Sequence, residues 1–211
     1  MCDSKKLDNF YPIPNSIPII EIKDQKTSRA KITGNLLKLG KLHDFSDLDA
    51  DHRRLKRTLK KVSENISNKF KEFGVQEKNI EIEVEKQAND LAFSIYEGIS
   101  LSSPPDERSE GFRWLLSFFS HFASNLEFDW EEKIFLIDEP AVLLHPKGQK
   151  AVLNILEKIS KKSQVIYSTH SPFLINRNFP QRVRLLQKDP QKGTILNNKP
   201  YTESKCRFWS L

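Results

Sequence analysis

The sequence predicts an α/β fold in which parallel core strands are joined by a helix and preceded by an antiparallel hairpin. An apolar run over 134–137 ends in two carboxylates, an amphipathic pattern covers 145–160, and a second short apolar run covers 164–168. Strand, helix and strand at this spacing are typical of a right-handed crossover between parallel strands. We therefore expect the polar groups that follow the two strands to meet at one edge of the sheet.

The first half of the chain predicts a long helix and the hairpin. Over 47–74 the apolar residues recur at intervals of three, four and seven, which indicates one buried stripe of an amphipathic helix that ends at Gly74. Apolar and polar residues then alternate over 80–85 and again over 91–95, as expected for two antiparallel strands with one face in water. Residues 1–30 contain several prolines and are expected to form an extended strand or connector, because proline removes a backbone donor and disfavours helix before it.

The second half adds one more helix and one more hairpin. A polar, proline-containing stretch leads into a helix predicted over 109–126. After the parallel strands, two short runs at 183–187 and 194–196 flank a Lys-Gly pair and predict a final hairpin.

Composition excludes several classes of protein. The 211 residues carry 34 Lys plus Arg against 28 Asp plus Glu, for a net charge of +6, and 37% are hydrophobic, which excludes a disordered or collagen-like chain. Cys2 and Cys206 lie at opposite ends without zinc-ligand spacing, so neither a disulfide framework nor a structural metal is indicated. The longest apolar stretch, 112–126, is interrupted by polar residues and is too short to span a membrane. With no secretory signal pattern at the N-terminus, a cytoplasmic protein without membrane contact is expected.

The first candidate site is the pair Asp138 and Glu139 at the end of the run 134–137, which has the form of a Walker B segment. An Asp in this position can reach a magnesium ion through its waters, and the next carboxylate can polarise a water for attack on a phosphoryl group. The alternative is an ordinary strand whose polar end caps a loop.

The second candidate is His170, in the segment Ser-Thr-His-Ser-Pro that follows the predicted strand at 164–168. A histidine there can donate a hydrogen bond to a terminal phosphate or hold the attacking water in line. A lone histidine is more often structural, but the spacing from Asp138 places the two residues on neighbouring strands and favours function.

The third candidate is the start of the helix at 109–126, where Ser109 and Gly111 accompany free backbone N–H groups. A helix N-terminus carries a partial positive charge, Ser109 adds a hydroxyl, and Gly111 lets a phosphate approach the backbone. The alternative is a capping serine followed by a flexible glycine.

Together, the three segments resemble the C-terminal half of an ABC-type ATPase head. The resemblance is closest to the OLD (overcoming lysogenisation defect) family and related AAA-type ATPases, kin of the SMC and RecF heads. Its best coverage is 78–196, and the stretches that carry it are Glu107–Trp114 as the signature helix, Ile134–His145 as Walker B and D-loop, and Gln164–Leu174 as the switch-histidine strand. The fold class implied is a partial P-loop NTPase head with an inserted helical arm. The domains implied are an extended connector at 1–30, the arm at 31–77, the C-terminal lobe at 78–198 and a tail at 199–211.

The resemblance also implies a role for each candidate residue. Asp138 would order the shell of Mg²⁺, Glu139 would be the general base, and His170 would sense the terminal phosphate. Ser109 and Gly111 would bind the terminal phosphate of an ATP held by a second subunit. ATP and Mg²⁺ are thus the implied cofactors, and an ATP-dependent homodimer or an intact ATPase head is the implied partner. Two positions depart from the transporter-type pattern: Glu110 replaces a glycine of the signature, and His145 stands where many relatives have the D-loop aspartate. Both departures are similar to the OLD branch, and they leave the details of the dimer interface open.

The glycine-rich Walker A loop is expected to be absent. The only glycine pair near a lysine, over 34–42, has one residue too many between its glycines, a leucine in place of the hydroxyl residue and no preceding strand. The family places this loop upstream of the arm, so the chain is predicted to be a head without its first lobe: a fragment, a split-gene product or a decayed copy. Only 41 residues follow His170, too few for the TOPRIM nuclease domain that the OLD family often carries.

The function expected from the resemblance is ATP hydrolysis with Mg²⁺, coupled to DNA-related or phage-defence activity, although the chain alone is expected to be incompetent. The alternative is a non-catalytic fragment that acts as an interaction or DNA-binding module. A basic cluster on the predicted long helix bears on this alternative, and either a solvated helix face or a DNA-facing surface would account for it. The cluster comprises Arg53, Arg54, Lys56, Arg57, Lys60 and Lys61.

Overall fold

The computed structural model of the protein describes residues 11–72, 80–98, 102–126 and 134–197. The chain divides into two compact units, the first ending at His170 and the second beginning at Ser171. The first unit contains, in chain order, β1 (Ser16–Pro18), α1 (Ile19–Asp24), α2 (Ser28–Leu39), α3 (His52–Glu72), β2 (Ile80–Gln87), β3 (Asp90–Glu97), α4 (Glu110–Leu126), β4 (Ile134–Ile137), α5 (Pro146–Ile159) and β5 (Gln164–Tyr167). The second unit contains β6 (Leu185–Asp189) and β7 (Gly193–Asn197).

The predicted hairpin is confirmed as two strands of an antiparallel sheet. Strands β2 and β3 pair in the register that places Ile82 opposite Ile95 and Val84 opposite Phe93, and all four side chains are buried. Strand β1 pairs with the other edge of β3, so the strand order is β1-β3-β2. The alternating pattern thus produces one core face, while the intervening Glu81 and Glu85 are exposed.

Helix α3 covers the outer edge of β2. The hydroxyl of Ser67 accepts a hydrogen bond from the backbone N–H of Ile82 at 2.9 Å, and the hydroxyl of Ser63 accepts one from Val84 at 2.9 Å. Serines four residues apart on a helix lie about 6 Å apart along its axis, which matches alternate residues of a strand. The two serines therefore satisfy backbone donors that an edge strand would otherwise leave unpaired.

The start of the long helix differs from its prediction. A 3₁₀ helix covers Phe45–Asp49, and α3 begins only at His52, because the carboxylate of Asp51 accepts hydrogen bonds from the backbone N–H groups of Arg53 and Arg54 at 3.0 and 3.1 Å. Side-chain capping of this kind stops the helix from extending further toward the N-terminus. The predicted end at Gly74 lies outside the described residues.

The expectation of an extended connector at the start of the chain is wrong for part of its length. Residues 1–10 lie outside the described part, β1 is extended, but α1 begins directly after Pro18 and α2 begins after Thr27. The side chain of Thr27 caps α2 by accepting a hydrogen bond from Ala30 at 3.1 Å. Seven of the twelve residues of α2 are buried, and they include Thr33 and Gly34 as well as apolar residues.

Helix α4 forms as predicted and supplies the aromatic core of the first unit. Phe118, Phe119 and Phe122 are fully buried. Phe119 meets Phe70 of α3 edge to face with ring centroids 4.2 Å apart, and Phe122 meets Phe135 of β4 at 6.0 Å. Helix α2 also packs along α4. The aromatic face of α4 therefore joins the helical part of the unit to the strand that precedes the two carboxylates.

The predicted strand, helix and strand are confirmed as a parallel pair, β4 and β5, linked by α5. Strand β4 is not buried on both of its faces. Ile137 is buried, but Leu136 is 46% exposed and lies directly opposite Ile166 of β5, which is 52% exposed. Among the described residues, the core contacts only one face of this pair, whereas parallel sheets are usually covered on both.

The glycine pair at 34–42 does not form a phosphate-binding loop. Gly34 lies inside α2, and Gly40 is the residue that ends this helix. A side chain at Gly40 would lie 2.5 Å from a methyl group of Val62 on α3, so this glycine permits the close approach of the two helices. Residues 34–39 of this segment are therefore helical.

The final hairpin of the second unit is also confirmed. Strands β6 and β7 are antiparallel, with Leu186 opposite Leu196, and both leucines are exposed. The strands begin and end one or two residues from their predicted limits. The predicted tail at 199–211 lies outside the described residues.

Among the described helices, none has the length and apolar character needed to cross a membrane.

The hydroxyl of Ser67 provides a test of the contact between α3 and β2. Replacing Ser67 with Ala leaves the buried N–H of Ile82 without its acceptor, and we expect the free energy of unfolding to fall by about 1–3 kcal/mol in urea denaturation. The same substitution at Ser28, which is exposed at the start of α2, is the control and should change stability by less than about 0.5 kcal/mol. Equal losses in the two variants would contradict the role given to Ser67.

Candidate active site

The candidate site lies at the carboxyl ends of the parallel strands β4 and β5. Their register places Ile137 opposite Tyr167, so Asp138 and Ser168 are the next residues on each strand. The backbone N–H of Ser168 donates a hydrogen bond to the carbonyl of Ile137 at 3.0 Å, which extends the pairing to the point where the chain leaves the sheet. The expectation that the polar groups after these strands meet at one edge is confirmed.

Ser168 connects the two strand ends through its hydroxyl group. The hydroxyl donates a hydrogen bond to Oδ1 of Asp138 and accepts one from the backbone N–H of Glu139 at 3.2 Å. It therefore orients the exposed Asp138 carboxylate and also holds the backbone at Glu139. The backbone there is left-handed, with φ of 45°, a conformation that is uncommon for a residue other than glycine.

Glu139 and His170 face each other across the strand ends. Oε1 of Glu139 lies 3.4 Å from Nε2 of His170, and Oε2 accepts a hydrogen bond from the backbone N–H of His170 at 3.3 Å. The side chain of Glu139 is 31% exposed, whereas that of His170 is fully exposed. The carboxylate is thus held by backbone and side chain together, while the imidazole can reach a group that approaches from solvent.

The end of β5 beneath this edge is half-buried, so the surroundings of its last residue are less polar than water. Burial raises the pKa of Tyr167, the last residue of β5, and the negative charge of Glu157 adds to the effect. The phenol therefore stays neutral around pH 7. Asp138, Glu139 and His170 accordingly stand at the boundary between a half-buried strand end and water.

The donor set can be compared with what a magnesium ion requires. In the described ranges, no group of three or more His, Cys, Asp or Glu side chains is arranged to hold a metal ion. Mg²⁺ commonly binds through one or two carboxylates, keeps several waters and takes further oxygens from substrate phosphates. The exposed carboxylate of Asp138, oriented by Ser168, fits a site of that sparse kind.

A buried glutamine holds the turn that follows Glu139. Nε2 of Gln149, on α5, donates hydrogen bonds to the carbonyl of Leu144 at 2.9 Å and to that of Ala141 at 3.3 Å. Ala141 has a φ of 69°, a second left-handed residue within three positions. Because two unusual backbone conformations need external support, Gln149 is a positioning residue for the strand end.

His145 has a structural role at the end of this turn. It is the N-cap of α5, and its Nδ1 accepts a long hydrogen bond, 3.5 Å, from the backbone N–H of Lys147. His145 stands where the resemblance expected an aspartate in many relatives. The imidazole of His145 therefore caps this helix, with Nδ1 as the acceptor.

The start of α4 packs against the same turn. The hydroxyl of Ser109 accepts a hydrogen bond from the backbone N–H of Phe112 at 3.3 Å, so this serine caps the helix. A side-chain carbon at Gly111 would lie 2.8 Å from the carbonyl oxygen of Leu143. The capping role of Ser109 matches the alternative account, whereas the close approach of Leu143, and not flexibility, explains the glycine at position 111. Phosphate binding by Ser109 and Gly111 stays a prediction.

The five candidate residues therefore fall into two groups. Asp138, Glu139 and His170 lie together at the strand ends, and Ser109 and Gly111 lie at the helix start. In the part of the chain that the structure describes, no hydrogen bond or ion pair joins Ser109 to the first group. Sequence reasoning missed Ser168 and Gln149 as positioning residues. Ser168 follows a strand at the same register as Asp138, which was a usable signal, whereas nothing in the pattern of α5 distinguishes Gln149 from a solvent-facing residue.

A parallel strand–helix–strand unit with paired carboxylates and a histidine at its strand ends is consistent with a P-loop nucleoside triphosphatase. Residues 15–176 match the family described as "AAA domain, putative AbiEii toxin, Type IV TA system". The match covers more than half of the chain, and the chain belongs to this AAA domain family. It begins within the segment that sequence analysis assigned to a connector, so α1, α2 and α3 are included in it.

Two curated proteins resemble parts of the chain. An uncharacterized protein of Methanocaldococcus jannaschii, MJECL43, is 32% identical over 141 residues, which are 61% of this chain and 36% of that protein. The OLD nuclease of Thermus scotoductus is 39% identical over 64 residues, which are 29% of this chain and 12% of that nuclease. The chain thus spans about a third of the first protein's length and about an eighth of the second.

Two solved structures resemble the fold at low sequence identity. One comes from a study of ATP-driven dimerization and DNA-stimulated activation of SMC ATPases, with a TM-score of 0.49 and 16% identity, covering 69% of this chain and 87% of that one. The other is the SmcHead bound to the C-winged helix domain of ScpA, with a TM-score of 0.44 and 20% identity, covering 67% and 47%. Neither TM-score reaches 0.5, so the assignment of the chain depends on the family match.

Gly111 provides a test of the contact between α4 and the turn after β4. A methyl group at this position would meet the backbone of Leu143, and we expect Gly111→Ala to lower the free energy of unfolding by about 1–3 kcal/mol, measured by chemical denaturation. Gly148→Ala is the matched control, since Gly148 is also in the first turn of a helix but its added carbon would lie 3.3 Å from the side chain of Leu144. A Gly111 variant that is as stable as the Gly148 variant would show that the contact is not tight.

Proposed function

We propose that the carboxyl ends of β4 and β5 form the site at which an AAA-type ATPase hydrolyses ATP. Asp138, Glu139 and His170 are the residues that act on the nucleotide in this proposal. The observation that carries the proposal is the contact of Glu139 with His170 beside the Asp138–Ser168 pair, at adjoining ends of two parallel strands. Membership in the AAA domain family supports an ATPase-type function. In this proposal Asp138 binds the metal ion, Glu139 accepts a proton and His170 senses the terminal phosphate.

Each residue's task follows from its position. Glu139 is held by the backbone N–H of His170 and keeps a partly exposed carboxylate, which can accept a proton from a water molecule. His170 is exposed and can donate a hydrogen bond to a terminal phosphate. Asp138 would hold Mg²⁺, and this ion supplies charge stabilisation for the phosphate oxygens when it is bound.

The start of α4 has a separate task in this proposal. The backbone N–H groups in its first turn, together with Ser109, would contact the terminal phosphate of an ATP held by a second head. Gly111 packs on the turn that follows Glu139. A phosphate bound at this helix start would therefore be connected through that turn to the general base, which is a direct route for coupling dimerisation to hydrolysis.

The phosphate groups of ATP require a further lobe in this proposal. A nucleotide site of this class needs a glycine-rich loop with a lysine. The glycine pair at 34–42 does not provide this loop, because Gly34 lies inside α2 and Gly40 ends it. The exposed, directly paired Leu136 and Ile166 form an apolar face of the parallel strands. We infer that a lobe bearing this loop covers that face in the working ATPase, since parallel sheets are usually covered on both sides.

Glu139 is the residue to test first. In an assay that combines the chain with a lobe bearing the glycine-rich loop, we expect Glu139→Gln to lower the rate of phosphate release by about 100-fold or more, because the amide cannot accept the proton from water. ATP-dependent association should survive, since the amide retains the shape of the carboxylate. Phosphate release is measured under single-turnover and steady-state conditions.

Glu64→Gln is the control for this experiment. Glu64 is exposed on α3 and loses the same charge when it is changed. Its phosphate release should match that of the unaltered chain. If Glu139→Gln changes neither phosphate release nor ATP-dependent association, Glu139 is not the general base.

The chain without a further lobe is expected to bind ATP negligibly. The backbone N–H groups and lysine of a glycine-rich loop provide most of the phosphate binding in sites of this class. Isothermal titration with MgATP should therefore show no micromolar binding. Micromolar affinity would contradict the proposal that the loop comes from another lobe, and would point to a phosphate site within the chain itself.

The second candidate function is a non-catalytic interaction module, and the helical conformation of residues 34–39, which provides no glycine-rich loop in that segment, favours it. In this case the chain would pair with an intact ATPase head, or occupy DNA, without hydrolysing ATP. The reading frame upstream of Met1 discriminates between the two functions: a strand followed by a glycine-rich loop favours the ATPase. A DNA-related or phage-defence role is compatible with either candidate function, and an assay with the whole assembly would test it.

A further inference from the structure

The exposed surface of the first half of α3 carries a dense positive charge that the candidate active site does not use. Residues 53–61 contain six cationic side chains and no acidic one, and all six are exposed. We call this set the α3 basic surface: Arg53, Arg54, Lys56, Arg57, Lys60 and Lys61.

Little of this charge is neutralised within the molecule. In the described ranges, Arg54 is the only member of the α3 basic surface with an ion pair, to Asp47 at 3.3 Å. The second half of the helix differs, because Glu72 pairs with Lys69 at 3.3 Å and with Lys158 of α5 at 3.2 Å. The first half therefore retains a positive field that is directed at solvent.

The position of the surface on the helix intensifies this field. Cations are normally favoured near the C-terminus of a helix, because the N-terminus carries a partial positive charge. Here the basic residues occupy the N-terminal half, and the first turn itself contains no acidic residue. The carboxylate of Asp51 caps the helix and offsets part of this unfavourable arrangement, and an external anion would relieve the rest.

Two sides of α3 can be distinguished by what lies opposite them. Lys56 and Lys60 line a groove of about 1110 Å³ whose other wall is the carboxylates of Glu81, Glu83 and Glu85 on β2. These carboxylates would repel a phosphate chain inside the groove. On the outward side, Arg53, Arg57 and Lys61 follow each other at intervals of four residues and form a row with steps of about 6 Å along the helix.

The chemistry of the row favours one class of ligand. Duplex DNA carries one phosphate of each strand for about every 3.4 Å of its helix axis, and a row of three cations can lie along consecutive phosphates of one strand. Residues 53–61 contain no aromatic side chain, whereas single-strand binders combine basic grooves with aromatic residues on which bases stack. We propose that the outward row of the α3 basic surface binds the phosphate backbone of duplex DNA without sequence preference.

This interaction does not depend on ATP hydrolysis, so it can be tested on the whole chain without nucleotide. Fluorescence anisotropy with a labelled duplex of about 20 base pairs should show binding at low salt that weakens steeply as salt is raised. The triple variant R53Q/R57Q/K61Q should bind more weakly at every salt concentration. The slope of log K against log salt should decrease in magnitude by about 2.7, or about 0.9 for each phosphate contact that is lost.

The matched control removes the same charge elsewhere. Lys150, Lys161 and Lys162 are exposed on α5 and just after it, and K150Q/K161Q/K162Q should leave the slope within about 0.9 of the unaltered chain. Glutamine is a good helix former, and circular dichroism should show unchanged helix content in both variants.

Three results would overturn the proposal. The unaltered chain could fail to bind duplex DNA at low salt, or both triple variants could lose affinity equally, which would mean that net charge alone is responsible. Tighter binding to a single strand of the same sequence would also contradict it. A failed ATPase assay would leave the proposal untouched, because the binding is measured without ATP.

Discussion

The burial of one aromatic helix is the constraint on which the rest of the first unit depends. Phe118, Phe119 and Phe122 of α4 are fully enclosed, and their contacts reach α3 through Phe70 and β4 through Phe135. Fully burying one such side chain contributes about 1.5–3 kcal/mol. Because the helix and the strand share this core, the strand end with its two carboxylates is held at a defined place relative to the helical part of the unit.

Backbone strain at the strand end is balanced by two polar side chains from elsewhere in the fold. Glu139 and Ala141 both have left-handed backbones, which cost on the order of 1–3 kcal/mol each in residues other than glycine. Ser168 binds the N–H of Glu139, and Gln149 binds the carbonyl of Ala141. Ser168 and Gln149 would not take part in the chemistry, but they set the direction of the candidate general base, Glu139.

The molecule presents two surfaces with opposite character. The paired Leu136 and Ile166 are apolar and exposed, which suits contact with another folded lobe, while the α3 basic surface is charged and suits a polyanion.

The sequence by itself determined the local elements and the order of the motifs. Period-two alternation identified β2 and β3, and the spacing of two apolar runs identified the parallel pair with Asp138, Glu139 and His170 at its ends, because periodicity and short crossovers are local properties. The starts of α3 and α2 depend on local caps from Asp51 and Thr27, which the apolar periodicity does not reveal. Only the tertiary structure decided the exposed face at Leu136 and the supports from Ser168 and Gln149, because these depend on how separate elements are placed against one another.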